Sequence, residues 1–400
     1  MMPSSSEQIR TYAGPALFSF GFRPFFLSAA VVASAVPLIA AASLGGAVAV
    51  GGAGGPIAYH GHEMVFGYLG AVIAGFILTA APNWTGRPPI VGARLAALFA
   101  LWLAGRAAML LPGTIGAVPA AIVDASFLVI LNVVVWREVL AGKNWRNLPV
   151  CILLTMFAAG NLVWHLTVLQ GGAGGAGLRS GAGVVAMLLA LIGGRITPSF
   201  TLNWLAKTGH PAIEAGVGRL DKAALLSLAV GAVLYVVAPA MAPTGWILIA
   251  AAALLLARMA RWRGWSTFEE PLVTILHAGY LWLSASVFLI GLSMIAPAAM
   301  APSTALHALT AGAAGVMTLA VMTRATLGHT GRPLHADGAT AAIYVLVNVG
   351  AATRVAAPYL PIDYAAASAI AGAIWGGAFA LFAVVYGRYL VSPRRETSAH

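Results

Sequence analysis

Nine histidines, His60, His62, His165, His210, His277, His307, His329, His335 and His400, are the side chains best suited to chemistry in this chain. Two of them open the stretch "YHGHEMVFGYLGAVIAGFILTAAPNWTGRP", residues 59–88, where Glu63 stands at the mouth of an apolar run and Asn83, Trp84 and Arg87 close it. Imidazole binds haem iron, copper and other transition metals through a ring nitrogen. A neighbouring carboxylate orients such a ring by accepting from its other nitrogen. Plainer roles compete with this one. A histidine within a membrane also makes interhelical hydrogen bonds, and Glu63 suits the positive end of a helix without any cofactor. Positions 60 and 62 do not share a helix face, so both approach one centre only if His60 lies in the preceding loop.

The elements that must position these groups follow from composition. Of 400 residues, 60% are hydrophobic and 8% charged, against about a quarter charged in a soluble domain. Apolar runs near the bilayer-spanning length of about 20 residues recur throughout, and they are continuous rather than alternating as in a membrane barrel. The sequence therefore predicts an all-α polytopic membrane protein. Its twelve transmembrane helices are expected near 22–44, 62–81, 92–111, 117–136, 148–169, 181–199, 223–240, 244–260, 271–294, 303–326, 339–357 and 365–389. No loop is long enough for another domain, so residues 1–400 read as one integral-membrane domain, with 390–400 a flexible cytoplasmic tail. The opening residues lack the order of a cleaved signal peptide, and the first apolar segment is expected to remain as a helix. Cys151 stands alone, which excludes an intramolecular disulfide or a multi-cysteine metal site.

The formal charge of +11 reads as topology rather than nucleic-acid binding. With a cytoplasmic N-terminus, all but Arg106, Arg179 and Arg354 of the 22 Lys and Arg fall on or near the inner side, a strong positive-inside pattern. Both termini are then cytoplasmic. His60, His62, His165 and His307 lie near the outer side, on the second, fifth and tenth helices, and converge if those helices touch. His277 lies toward the opposite side, so it is not expected to share a centre with His62. His62 and His307 are the leading ligand candidates, followed by His165 and His277, with His60 and His329 behind them. At the inner exits, Arg87 and Arg332 read as positive-inside anchors, or as groups that pair with a carboxylate, cap helix C-termini, or bind haem propionates or lipid phosphates, and Arg195 and Arg324 lie deeper. Asp124 is the most isolated acid within the membrane.

Helix 2 can be laid on helix 10 at a constant offset of 245 residues. His62 falls on His307, Gly67 on Gly312, Gly70 on Gly315, and "TGRP" at 85–88 on "TGRP" at 330–333. Helix 6 ends in a fainter relative, "GGRITPSFTLNW". Helices 2, 6 and 10 would be equivalent in three repeats of four helices, and parallel repeats occur in membrane proteins. Histidines on the second and tenth of twelve helices resemble, at the level of fold, the catalytic subunits of haem-copper oxidases. Phosphate-loop, HExxH and paired CxxC motifs are absent.

Five stretches carry a more specific likeness: "FRPFFL" at 22–27, "HGHEMVFGYLGAVIAGFILTAAPNWTG" at 60–86, "LWLAGR" at 101–106, "LHAGYLW" at 276–282 and "LHALTAGAAGVMTLAVMTRATLGHTGRPL" at 306–334. In these the chain resembles the NnrS family of bacterial membrane proteins across essentially its whole length. It reads HGHEM where that family more often reads HAHEM. The resemblance implies haem and copper as cofactors and a role in nitric oxide metabolism, denitrification and protection from nitrosative stress. A respiratory electron donor is an implied partner beside the bilayer and nitric oxide. The family pattern falls on His62, Glu63, Asn83, Trp84, His307, Arg324, His329 and Arg332 without assigning iron or copper to any of them, and no particular reaction follows. Two other classes fit the helix pattern: a secondary transporter using the membrane His and Asp groups for proton coupling, and an assembly or scaffold protein for a respiratory metallo-enzyme.

Overall fold

The computed structural model describes residues 12–44, 46, 48, 50, 54–213 and 216–395; the last five residues of the expected tail lie outside them. Twelve helices are long and apolar enough to cross a membrane: α1 Phe22–Ser43, α2 Gly55–Thr85, α3 Gly92–Leu110, α4 Ala117–Ala141, α5 Trp145–Leu169, α6 Gly175–Thr208, α7 Arg219–Val237, α8 Ala242–Ala260, α9 Pro271–Ile295, α10 Pro302–His329, α11 Gly338–Tyr359 and α12 Tyr364–Val391. No strand occurs among the described residues. Large apolar side chains such as Ile122, Val133 and Val384 are 62–76% exposed. Outward-facing surface of that kind is stable only where the solvent is lipid.

The helices start where their first residues permit. Pro56, Pro271 and Pro302 sit in first turns, where a missing N–H leaves nothing unpaired. Pro56 starts α2 well before the apolar run, so His60 is on the helix and not in the loop. The two "TGRP" exits share one construction. Gly86 and Gly331 adopt left-handed φ of 68° and 71°, and the preceding Thr85 and Thr330 hydroxyls donate to carbonyls four residues back.

Three helices are interrupted by a π segment: Glu63–Tyr68 in α2, Leu189–Gly193 in α6 and Ala308–Ala314 in α10. The first and third begin directly after His62 and His307, in the register of the sequence echo. A π turn shifts the hydrogen-bond ladder and leaves carbonyls to be satisfied from outside. Each segment has a side-chain donor from another helix. Trp102 Nε1 donates to Gly67 O at 3.1 Å, Trp375 Nε1 to Ala311 O at 3.0 Å, and Arg258 to Ala190 O and Gly194 O at 2.8 and 3.2 Å.

The chain divides into two compact units. Unit 1 holds everything through Gly181, with Ala325–Pro333 and the C-terminal stretch from Phe382; unit 2 holds Ala182–Arg324 and Leu334–Leu381. In unit 1, Phe25, Phe99, Trp102 and Phe127 join α1, α3 and α4 in an aromatic core. In unit 2, Arg258 is pinned by Asp221 at 2.6 Å and Tyr280 at 2.8 Å. Glu270 caps α9 through Leu272 N and ties down the loop before α11 through Ala336 N and His335.

Candidate metal centre

The centre is built where α2 changes from α to π geometry. His62 closes the first α-helical stretch of α2, and Glu63 opens the π segment. Helix α5 contributes Asn161 and His165, four residues apart and so on one face. Asp124 comes from α4 and Arg106 from α3. Asp124 Oδ2 accepts from His165 Nε2 at 2.7 Å and Asn161 Nδ2 at 2.9 Å, and lies 3.1 Å from His62 Nε2. His62 Nε2 is also 2.8 Å from Asn161 Oδ1, and its Nδ1 is 2.9 Å from Glu63 Oε1. Arg106 bridges the two carboxylates, reaching Glu63 at 2.7 Å through Nη1 and Asp124 through Nη2.

Most of this is sealed from solvent, with Arg106 at the edge of the buried cluster. His62, Glu63, Asp124 and Asn161 are at most 1% exposed. Trp164 and Phe66 pack on the His62 ring at 4.3 and 5.4 Å, while Trp102 lies 5.8 Å beneath the Arg106 guanidinium. Gly67 is what lets that guanidinium in: a Cβ there would stand 2.2 Å from Arg106 Nη1. Unpaired charge is expensive at such depth, and the groups neutralise one another. Two carboxylates nevertheless face a single guanidinium. Both His62 nitrogens also face oxygen atoms, whereas a neutral imidazole has only one N–H. One more positive charge at His62, a proton or a metal ion, would balance the cluster. His62, Asp124 and His165 each offer an atom within 4.8 Å of the others, and two imidazoles with a carboxylate suit a transition-metal ion.

The structure gathers His62, His165 and Glu63 from the sequence candidates. His60 shares α2 with His62. His277 and His307 belong to unit 2. There His277 Nε2 pairs with the Thr201 hydroxyl at 2.8 Å, and His307 Nδ1 donates to Ser303 O at 2.7 Å. His329 lies in unit 1 at the end of α10, its ring 5.2 and 5.4 Å from those of Phe20 and Phe22. Arg87 pairs with Glu138 at 2.5 Å. Arg324 stands 3.9 Å over the Phe200 ring, and Arg332 3.8 Å over Tyr389. Asn83 is exposed, and Trp84 O accepts from Asn144. Sequence reasoning did not join Arg106, Asp124 and Asn161 to the histidines. Their signal was the cost of an acid within one span and a cation near the outer side of another, which together implied a buried pair.

Twelve apolar helices with imidazole, carboxylate and guanidinium groups buried among them define a polytopic membrane protein with an internal polar centre. The chain matches the family described as "NnrS protein" over residues 16–394 and belongs to it. No curated protein matches the chain.

Proposed function

We propose that this chain is a haem- and copper-containing membrane protein that binds or processes nitric oxide, with the ion other than haem held by His62, His165 and Asp124. The convergence of those three donors within 4.8 Å carries the reading, and family membership supports it. The donor set fits a small ion better than a macrocycle, because indole and phenyl rings already cover the His62 imidazole. Haem is assigned to the other two leading candidates, His277 or His307 of unit 2, and Arg324, on the side of the membrane that His277 lies toward, would partner a propionate. When bound, iron and copper supply coordination positions for nitric oxide, a small neutral molecule that partitions into lipid.

The protein's own groups do the rest. Glu63 fixes the His62 ring through Nδ1, which aims Nε2 at the site. Arg106 holds Glu63 and Asp124 in place, and Trp164 and Phe66 keep water out. The inner-membrane location and cytoplasmic termini rest on the positive-inside pattern. Three repeats of four helices are supported by the π segments recurring in α2, α6 and α10. A transporter would use Asp124 and the histidines to carry protons instead, and bound metal separates the two readings.

The test is metal analysis and optical spectroscopy of detergent-purified protein from cofactor-replete cells, with and without nitric oxide. Copper and a haem Soret band that shifts with nitric oxide are expected. His62→Ala should lose copper and keep the Soret band, and His277→Ala or His307→Ala should weaken the Soret band. Well-folded protein free of both cofactors would sink the reading.

A further inference from the structure

The two "TGRP" exits have the same backbone and opposite electrostatics. Arg87 of the first is neutralised by Glu138. Arg332 of the second belongs to a group of cations at the ends of α1, α10 and α12, all within unit 1. Its guanidinium lies 3.8 Å over the Tyr389 ring, with Arg388 4.9 Å from the same ring and donating to the Tyr389 hydroxyl at 2.9 Å. Arg395 N donates to Thr330 O at 3.0 Å, which folds the C-terminal stretch back over the turn. Arg23 stands close enough to interact electrostatically with Arg332, and it spends Nη1 on the carbonyls of Tyr389, Leu390 and Ser392. Burial, with Arg395 and Arg388 alongside, pushes the Arg332 guanidinium below its usual range. Its Nε is buried and has no acceptor. None of the ion pairs among the described residues includes Arg23, Arg332, Arg388, Arg394 or Arg395.

Guanidinium groups gathered at one end of three helices favour an anion beside them. Arg394 and Arg395 are exposed, while Arg332 is half-buried, so the anion approaches from outside the protein at the end of α12. That is the proposed cytoplasmic end, where anionic phospholipid headgroups lie and where basic residues next to spans bind them. Tyr389 adds an aromatic anchor of the kind that sits at headgroup level. We propose that Arg332 and Arg388, both against Tyr389, together with Arg394 and Arg395 of the stretch that folds back over the turn, form a binding site for the phosphate of an anionic phospholipid. This site is independent of the metal centre, and it fits the contrast between two turns of like backbone, of which the second pairs with no acid among the described residues.

The test is native mass spectrometry and thermal unfolding of the full-length protein with added phosphatidylglycerol, phosphatidylcholine or inorganic phosphate. Phosphatidylglycerol should be retained and should raise the unfolding midpoint above that with phosphatidylcholine. Inorganic phosphate at equal concentration should have no such effect. Each guanidinium near an anionic surface contributes roughly a factor of five in affinity, so Arg332→Gln with Arg388→Gln should weaken phosphatidylglycerol binding about 25-fold. Arg87→Gln should leave it unchanged. Should the double variant fold poorly, Arg394→Gln with Arg395→Gln, outside the helices, makes the same test. Equal retention of the two lipids, a preference that survives both double variants, or inorganic phosphate reproducing the shift would each overturn the proposal. The last would reassign the site to free phosphate.

Discussion

Asp124 shows how one residue in a membrane span takes its meaning from its neighbours. It accepts from His165 and Asn161, lies against His62, and is held from the other side by Arg106. Replacing it with Asn removes an anionic donor without removing bulk. Asp124→Asn should therefore lower copper content by more than the roughly 10- to 100-fold that losing an outer partner costs; metal analysis of purified protein measures this. Glu63→Gln, which touches His62 Nδ1 and not the nitrogen proposed to face the metal, should fall within that smaller range. Arg106→Ala strands two buried carboxylates. Breaking a buried pair from one side costs about 3–5 kcal/mol, so metal-free Arg106→Ala should unfold at a clearly lower temperature than the metal-free parent. A midpoint unchanged from the parent would show that the carboxylates had found other partners.

At the scale of the helix, the π segments link local backbone geometry to the centre. The segment after His62 makes Gly67 O available to Trp102 and puts Gly67 against Arg106. Trp102→Phe keeps most of the ring and deletes the N–H, leaving a buried carbonyl without that donor. The expected cost is about 1–3 kcal/mol, and Trp375→Phe should cost a similar amount at Ala311 O in α10. Gly67→Ala should be worse, because its methyl would meet the guanidinium itself; loss of both metal and thermal stability is expected. Gly61→Ala is the control, since a Cβ there meets only the flexible end of Leu178. Thermal unfolding of the four variants ranks them, and a Gly67→Ala protein as stable as Gly61→Ala would contradict this account.

For the molecule as a whole, the expected helix count survives because the number of spans and the distribution of Lys and Arg constrain each other. Losing one helix would invert every later loop. Reporter fusions test the orientation. A periplasm-dependent phosphatase should be active when fused in the loop after α5, near Gly171, and inactive when fused after α12. The reverse pattern would turn the molecule over and move the arginine cluster to the outer side.

The sequence by itself determined the all-α membrane architecture and the count of twelve spans. Each depends on composition, length and local backbone preference, which act along the chain. It also singled out His62, Glu63 and His165, because polar groups in apolar runs are costly wherever they fall. Only tertiary structure decided that His165 joins His62 while His307 lies in the other unit, and that Asp124, Asn161 and Arg106 complete the centre. It likewise decided that one "TGRP" arginine meets Glu138 and the other meets arginines. Those outcomes depend on which helix faces which, and in lipid that choice follows from close packing and hydrogen bonds between helices, interactions that periodicity along one helix does not encode.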